Sequence, residues 1–225
     1  MAPQRCIVTA ATSGYVGVQR RLLESLAAWG WKGGVLAWTG GLPSGSPEHA
    51  EEPYAFKLFA LREAAARGWD TALWLDSGCV AGSRVEPVFD RIEARGQLLV
   101  RAGERLGNWA SDACLRAFGW DRGRAMEAPL LHGSFVGLSL RRPSSRAWLE
   151  GMFEALDRGL FRGPYFSDRA PSEVRAGRPG KPSGFVSKDP RCWGHRHDEA
   201  VGACLALRLG LPLTPRPLLP ELTLP

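Results

Sequence analysis

The sequence of 225 residues contains no CxxC pair, no internal repeat and no GxGxxG fingerprint. Each absence closes a class. The five cysteines (Cys6, Cys79, Cys114, Cys192 and Cys204) are odd in number and unpaired in spacing, which excludes a disulfide framework and a zinc knuckle. Free thiols fit a reducing compartment. Near the N-terminus the only apolar run is Cys6 to Ala11, far too short for a signal peptide or a membrane span, so a cytoplasmic protein with no membrane partner is expected. Without GxGxxG, a dinucleotide site has no support. Lysine is scarce as well. Of 29 basic residues only Lys32, Lys57, Lys181 and Lys188 are lysines, so the positive charge is carried by arginine.

What is present is enough for a sizeable core: 44% of residues are hydrophobic, and nine are tryptophan. The formal charge of +6 favours acidic partners such as nucleotides, nucleic acid or anionic surfaces, without choosing among them. The chain is organised around Thr71-Ala72-Leu73-Trp74-Leu75, a short apolar run without alternation. Such a run suits a strand buried on both faces of a parallel sheet. It stops at Asp76-Ser77-Gly78, which places a carboxylate at the carboxyl end of a strand, where open α/β sheets bind ligands. The same three residues are also ordinary turn chemistry, so a turn-capping Asp76 is the plain alternative.

Around this stretch, strands are expected at Arg5 to Thr9, Gly34 to Trp38, Gln97 to Arg101 and Phe135 to Leu140. Helices are expected from Val18 to Leu26, Pro53 to Arg67 and Pro87 to Ala94. A further helix, capped by Ser144 or Ser145, would bury Trp148, Leu149, Met152 and Leu156. Gly194-His195-Arg196-His197-Asp198-Glu199 opens the last helix, which Gly210 and Pro212 end. Carboxylates are favoured at a helix N-terminus, so Asp198 and Glu199 have a structural role available as well as a chemical one. Between Gly103 and Gly123, Trp109 and Asp112 combine a flat apolar face with a hydroxyl acceptor, as a sugar site does; core packing accounts for the tryptophan equally.

The order Phe56-Lys57, helix, Trp74-Leu75-Asp76-Ser77 resembles the centre of a nucleotide-sugar glycosyltransferase of the GT-A type. Gly133-Ser134-Phe135-Val136-Gly137 and His197-Asp198-Glu199 follow in that family's order. The resemblance implies a single α/β domain over residues 1–225, Rossmann-like, with a mixed, mostly parallel sheet flanked by helices. It implies a nucleotide-sugar donor seated on Thr9, Ala11, Thr12 and Tyr15 at the end of the first strand. Asp76 and Ser77, Lys57 near a phosphate, and Trp109, Asp112 and Gly133 near the sugar complete that donor site. Asp198, with Glu199 as its rival, would be the catalytic base. In that family an Asp-x-Asp motif holds Mn²⁺ or Mg²⁺; here Gly78 replaces the second carboxylate, so the metal set is Asp76 with His195 or His197.

Residues 158–196 are different in kind. They hold nine basic residues and three acids (Asp168, Glu173 and Asp189), a surplus of six that equals the net charge of the whole chain. Aromatic residues interleave with the cations, a composition suited to phosphates and stacked bases. This stretch is therefore expected to be an acceptor-side loop, with Arg175, Arg178, Lys181 and Trp193 contacting a polyanion. The preferred acceptor is DNA carrying a 5-hydroxymethylpyrimidine, as for a phage-type DNA glycosyltransferase. A protein, glycan or small-molecule hydroxyl is the alternative acceptor. Two other classes stay open: a nucleotidyltransferase, against which Ala10 to Tyr15 offers no basic residue, and a non-catalytic nucleic-acid-binding module, which Gly78 keeps in play. Oligomeric state is not read from the sequence.

Overall fold

The computed structural model describes residues 3–162, 186–216 and 220–223. Its main sheet has six strands: β1 (Arg5–Ala11), β2 (Gly34–Thr39), β3 (Thr71–Leu75), β5 (Gln97–Arg105), β6 (Pro129–Ser139) and β7 (Leu213–Pro215), in the order β2-β1-β3-β6-β5-β7. A separate two-stranded ribbon pairs β4 (Val80–Ala81) with β8 (Leu222–Thr223). Five strands of the main sheet share one direction and β6 runs against them. This is the mixed, mostly parallel sheet flanked by helices expected from the sequence.

β3 is buried at every position, as its unbroken apolar run requires. Its neighbours differ: β1 is parallel to it, while β6 is antiparallel, with Leu75 opposite Phe135. β2, apolar in sequence, is the edge strand and alternates half-buried with exposed residues.

The helices cover both faces. α1 (Val16–Ala28) and α3 (Glu86–Arg95) bury Leu22, Leu26, Val88, Phe89 and Ile92 against one face. α2 (Phe56–Ala66), α7 (Pro143–Asp157) and α8 (His197–Arg208) pack on the other, together with the short helices α4 (Leu106–Trp109), α5 (Asp112–Ala117) and α6 (Arg122–Glu127). From β1 the chain passes through α1 to β2 on one side. It then returns through α2, on the opposite face, to β3 on β1's other side. That divergence opens a crevice at the carboxyl ends of β1 and β3, where Asp76 stands.

Several boundaries differ from the sequence expectation. α2 starts at Phe56 rather than Pro53, because Tyr54 has a left-handed backbone (φ 64) that no helix can include. α7 starts at Pro143, so Ser144 and Ser145 lie inside it and do not cap it; the Ser145 hydroxyl donates to the Gly96 carbonyl at 2.5 Å. β5 and β6 extend beyond their expected ends, with irregular register between Leu99 and Arg105.

Gly137 does not border a ligand site. A Cβ there would lie 2.5 Å from Ile92 Cδ1, so this glycine lets α3 close on the sheet. Gly137→Ala is expected to destabilise the fold by roughly 1–3 kcal/mol through overpacking. In chemical denaturation, the double variant with Ile92→Ala should lose less than the sum of the two single changes.

Candidate active site

The site starts from the two-residue period of a strand. Trp74 and Asp76 project to the same side, and the Trp74 indole N–H donates to Asp76 Oδ1 at 2.8 Å. The Asp76 amide donates to the Ser134 carbonyl at 3.0 Å, which continues the β3–β6 pairing past Leu75 and brings Gly133 and Ser134 alongside the strand end.

Lys57 closes the site from α2. It is buried, on the apolar stripe it shares with Ala60, Leu61 and Ala64. Its ammonium lies 3.2 Å from Asp76 Oδ1, 3.0 Å from Asp198 Oδ2 and 2.9 Å from the Gly133 carbonyl oxygen. An ammonium has three N–H donors, and three acceptors surround it. In this arrangement Lys57 has no donor left for a phosphate, contrary to the role the family resemblance implied. Burial alone would lower the lysine pKa, but Asp198 and Asp76 outweigh it and hold the group above its ordinary value, hence charged. The Tyr54 ring lies under the same ammonium, 4.9 Å from Nζ to the ring centre.

Asp198 and Glu199 open α8. Neither merely satisfies the helix end. Asp198 is buried on Lys57, and Glu199 Oε1 accepts the Gly133 amide N–H at 2.9 Å. The approach is close enough that a Cβ on Gly133 would meet Asp198 Oδ2 and Glu199 Cγ at 2.9 Å, so only glycine fits there. Arg196 Nη1 stands 3.4 Å from Glu199 Oε2, and its guanidinium lies over the Trp109 ring. Burial, reinforced by the Asp198 charge, pushes the Glu199 carboxyl up to about 7, against the lowering effects of Arg196, the Gly133 amide and Lys57. A pocket of about 130 Å³ is lined by Tyr54, Lys57, Asp76, Ser134, Arg196, His197, Asp198 and Glu199. That is smaller than a site enclosing a whole drug-sized ligand. It has room for a reacting group rather than for a whole drug-sized molecule.

The histidines do not complete a metal shell. His195 is fully buried. Its Nδ1 accepts the Ser111 amide N–H at 3.2 Å, and its Nε2 faces the Leu160 carbonyl at 2.8 Å and so donates to it. With both nitrogens engaged, and its pKa driven to about 3 by burial and by His197, it is a neutral structural histidine. His197 Nδ1 bonds the Phe161 carbonyl at 2.7 Å, and its ring packs against Tyr54. Asp76, His195 and His197 are therefore not gathered as ligands. Among the described residues no group of three His, Cys, Asp or Glu is placed to hold a metal ion. The carboxylates that converge, Asp76 and Asp198, converge on Lys57. As they stand, these residues do not fit a divalent ion.

The other expected donor residues lie outside this pocket. Thr9 and Ala11 are buried within β1, while Thr12 and Tyr15 are exposed beyond its end. Ser77 follows Asp76 in the turn, half-buried. Trp109 is a fully buried core residue, edge-on to the half-buried Trp193 at 5.7 Å, so the Trp109 indole offers no open sugar platform. Asp112 pairs with Arg122, which also donates to the Gly107 and Ala110 carbonyls and so staples α4 to α6. Arg175, Arg178 and Lys181 lie outside the described residues. Sequence reasoning missed Tyr54, Ser134 and Arg196. Ser134 had a signal, adjacency to Gly133; Tyr54 had none, because its place depends on a left-handed backbone.

No protein-family profile and no curated protein matches the sequence. Among solved structures, the chain is similar to apo WbbM, a bifunctional glycosyltransferase (10% identity, 69% of this chain and 35% of that one, TM-score 0.47). It is also similar to mouse xyloside xylosyltransferase 1 in its apo form (11% identity, 93% and 83% covered, TM-score 0.45). A third is the galactosyltransferase LgtC with donor and acceptor sugar analogs (14% identity, 94% and 98% covered, TM-score 0.37). The chain spans about a third of the WbbM chain.

The raised Glu199 pKa has a stability consequence of definite sign. Between the ordinary value of 4.5 and about 7 the folded state holds a proton that the unfolded state has released. Glu199's contribution is thus fully present below pH 4.5 and is lost as pH rises through about 7, a swing of roughly 3 kcal/mol for a shift of this size. Urea denaturation of Glu199→Gln at several pH values should show this decline removed.

Proposed function

We propose that this chain is a glycosyltransferase that moves a sugar from a nucleotide-sugar donor to an acceptor hydroxyl, with Glu199 as the base. One observation carries the reading. At the carboxyl end of β3, three carboxylates from two separate elements meet in one pocket, and one of them, Glu199, is held near neutrality by burial. A base with a pKa near the working pH combines a sizeable deprotonated fraction with enough basicity to accept a hydroxyl proton. Asp198, bound to Lys57 through Oδ2, suits that task less and acts by positioning.

The reaction asks for three things of the site. The acceptor oxygen attacks the anomeric carbon while its proton passes to Glu199. The bond from that carbon to the diphosphate breaks, and the leaving oxygen takes the electron pair. Arg196 is the cation suited to the leaving phosphate: it lines the pocket with its side chain partly exposed. A guanidinium at a pocket wall presents a planar fork of donors that matches phosphate oxygens. Asp76, with one oxygen fixed by Trp74 and Lys57, is placed to orient a sugar hydroxyl.

A panel of nucleotide sugars, assayed for nucleotide release, tests the reading. One donor should be turned over, with kcat rising as pH rises through about 7, since the base must be unprotonated. Glu199→Gln should lower kcat by roughly 10²-fold or more, abolish that rise and leave the donor KM nearly unchanged. Absence of turnover with every donor, or a wild-type kcat in the variant, overturns it.

For the acceptor, the concentration of net charge in residues 158–196 favours a polyanion, with hydroxymethylated duplex DNA as the specific proposal. Log affinity for duplex DNA should then fall linearly and steeply with log salt, and neutralising Arg175, Arg178 and Lys181 should flatten the slope. Absence of binding at low salt removes DNA as acceptor and leaves the sugar-transfer reading untouched.

A further inference from the structure

We propose that Lys57 is the resident cation of this site and takes the place of a divalent metal. The proposal rests on the pocket being the site of sugar transfer for its meaning, but its test uses no turnover. Two carboxylates and a main-chain carbonyl, Asp76 Oδ1, Asp198 Oδ2 and the Gly133 oxygen, converge within 3.2 Å of one point, and the point is Lys57 Nζ. Hard oxygen ligands of this kind, two carboxylates and a carbonyl from three separate elements, are the set that would serve Mg²⁺ or Mn²⁺. The lysine reaches the point from inside the protein. It extends from the buried stripe of α2, over the Tyr54 ring and 5.9 Å from the centre of Trp74.

An ion entering the site would meet both carboxylates already engaged by an ammonium and would have to displace that buried side chain. Gly78 completes the argument. The position that would carry a second strand-end carboxylate carries none, so Asp76-Ser77-Gly78 offers one acidic group and Lys57 already holds it; Glu199, the pocket's third carboxylate, accepts the Gly133 amide N–H and faces Arg196. A donor diphosphate then depends on arginine rather than on metal for its counter-charge.

The test is Mn²⁺ binding followed by the loss of the free-ion electron paramagnetic resonance signal, without substrate. Wild type should show no stoichiometric site at sub-millimolar Mn²⁺. Lys57→Met and Lys57→Gln, the second keeping a donor for the Gly133 carbonyl, are checked for folding by circular dichroism. At least one folded variant should bind one Mn²⁺ per chain at least tenfold more tightly than wild type, with Mn²⁺ raising its Tm; adding Asp76→Asn should abolish the gain. One Mn²⁺ per wild-type chain, lost on Asp76→Asn, overturns the proposal even if neither lysine variant folds. So does the result that no lysine variant that folds gains a site. Failure of every nucleotide sugar in the turnover assay, with these binding results intact, would instead fault the sugar-transfer reading alone.

Discussion

One ammonium group holds the centre of this protein together. Lys57 has three N–H donors, and its acceptors come from three elements distant in sequence: Asp76 after β3, Gly133 in β6 and Asp198 in α8. A buried charge costs several kcal/mol when unpaired, and loss of one partner of a buried pair costs about 3–5 kcal/mol. The fold therefore supplies every partner from framework that is itself fixed. The Leu75–Phe135 register sets Gly133 beside Asp76, and two glycines let α8 settle on β6: Gly133 under Asp198 and Glu199, and Gly202 against Leu131.

The charge balance of the pocket follows from that clamp. Lys57 is wholly committed to Asp76 and Asp198. Two further charged groups line the pocket: Glu199, whose carboxyl burial has made weakly acidic, and Arg196, which faces it at 3.4 Å. Under the proposed sugar transfer, Glu199 would take the proton and Arg196 would meet the phosphate. The rest of the pocket holds these two in place.

Much of the framework was legible in the sequence, because it depends on local pattern. The unbroken apolar run Thr71–Leu75 identified the central strand with its true ends, and Asp76 as its terminal carboxylate. The Trp148, Leu149, Met152 and Leu156 stripe identified the buried face of α7. The site was legible only where a residue's role was local. Asp198 and Glu199 were marked by a dense acidic cluster at a helix start. The burial of Lys57 was not read from the sequence; the partners that spend its charge lie 19 and 141 positions away and leave no local trace. Trp109, His195 and Asp112 went the other way. Their residue types suit a sugar or metal site, but tertiary packing gives them an indole neighbour, two backbone partners and an arginine.

The central claim is that Lys57 is a buried, fully engaged ammonium. The chain's four lysines make this directly measurable by nitrogen-15 NMR of the side-chain ammonium groups. One resonance, absent in Lys57→Arg, should exchange slowly with water and stay protonated above pH 10.4, near which exposed lysines titrate. In Asp76→Asn the same resonance should move. Four signals that exchange rapidly and titrate together would show that the clamp does not exist in solution.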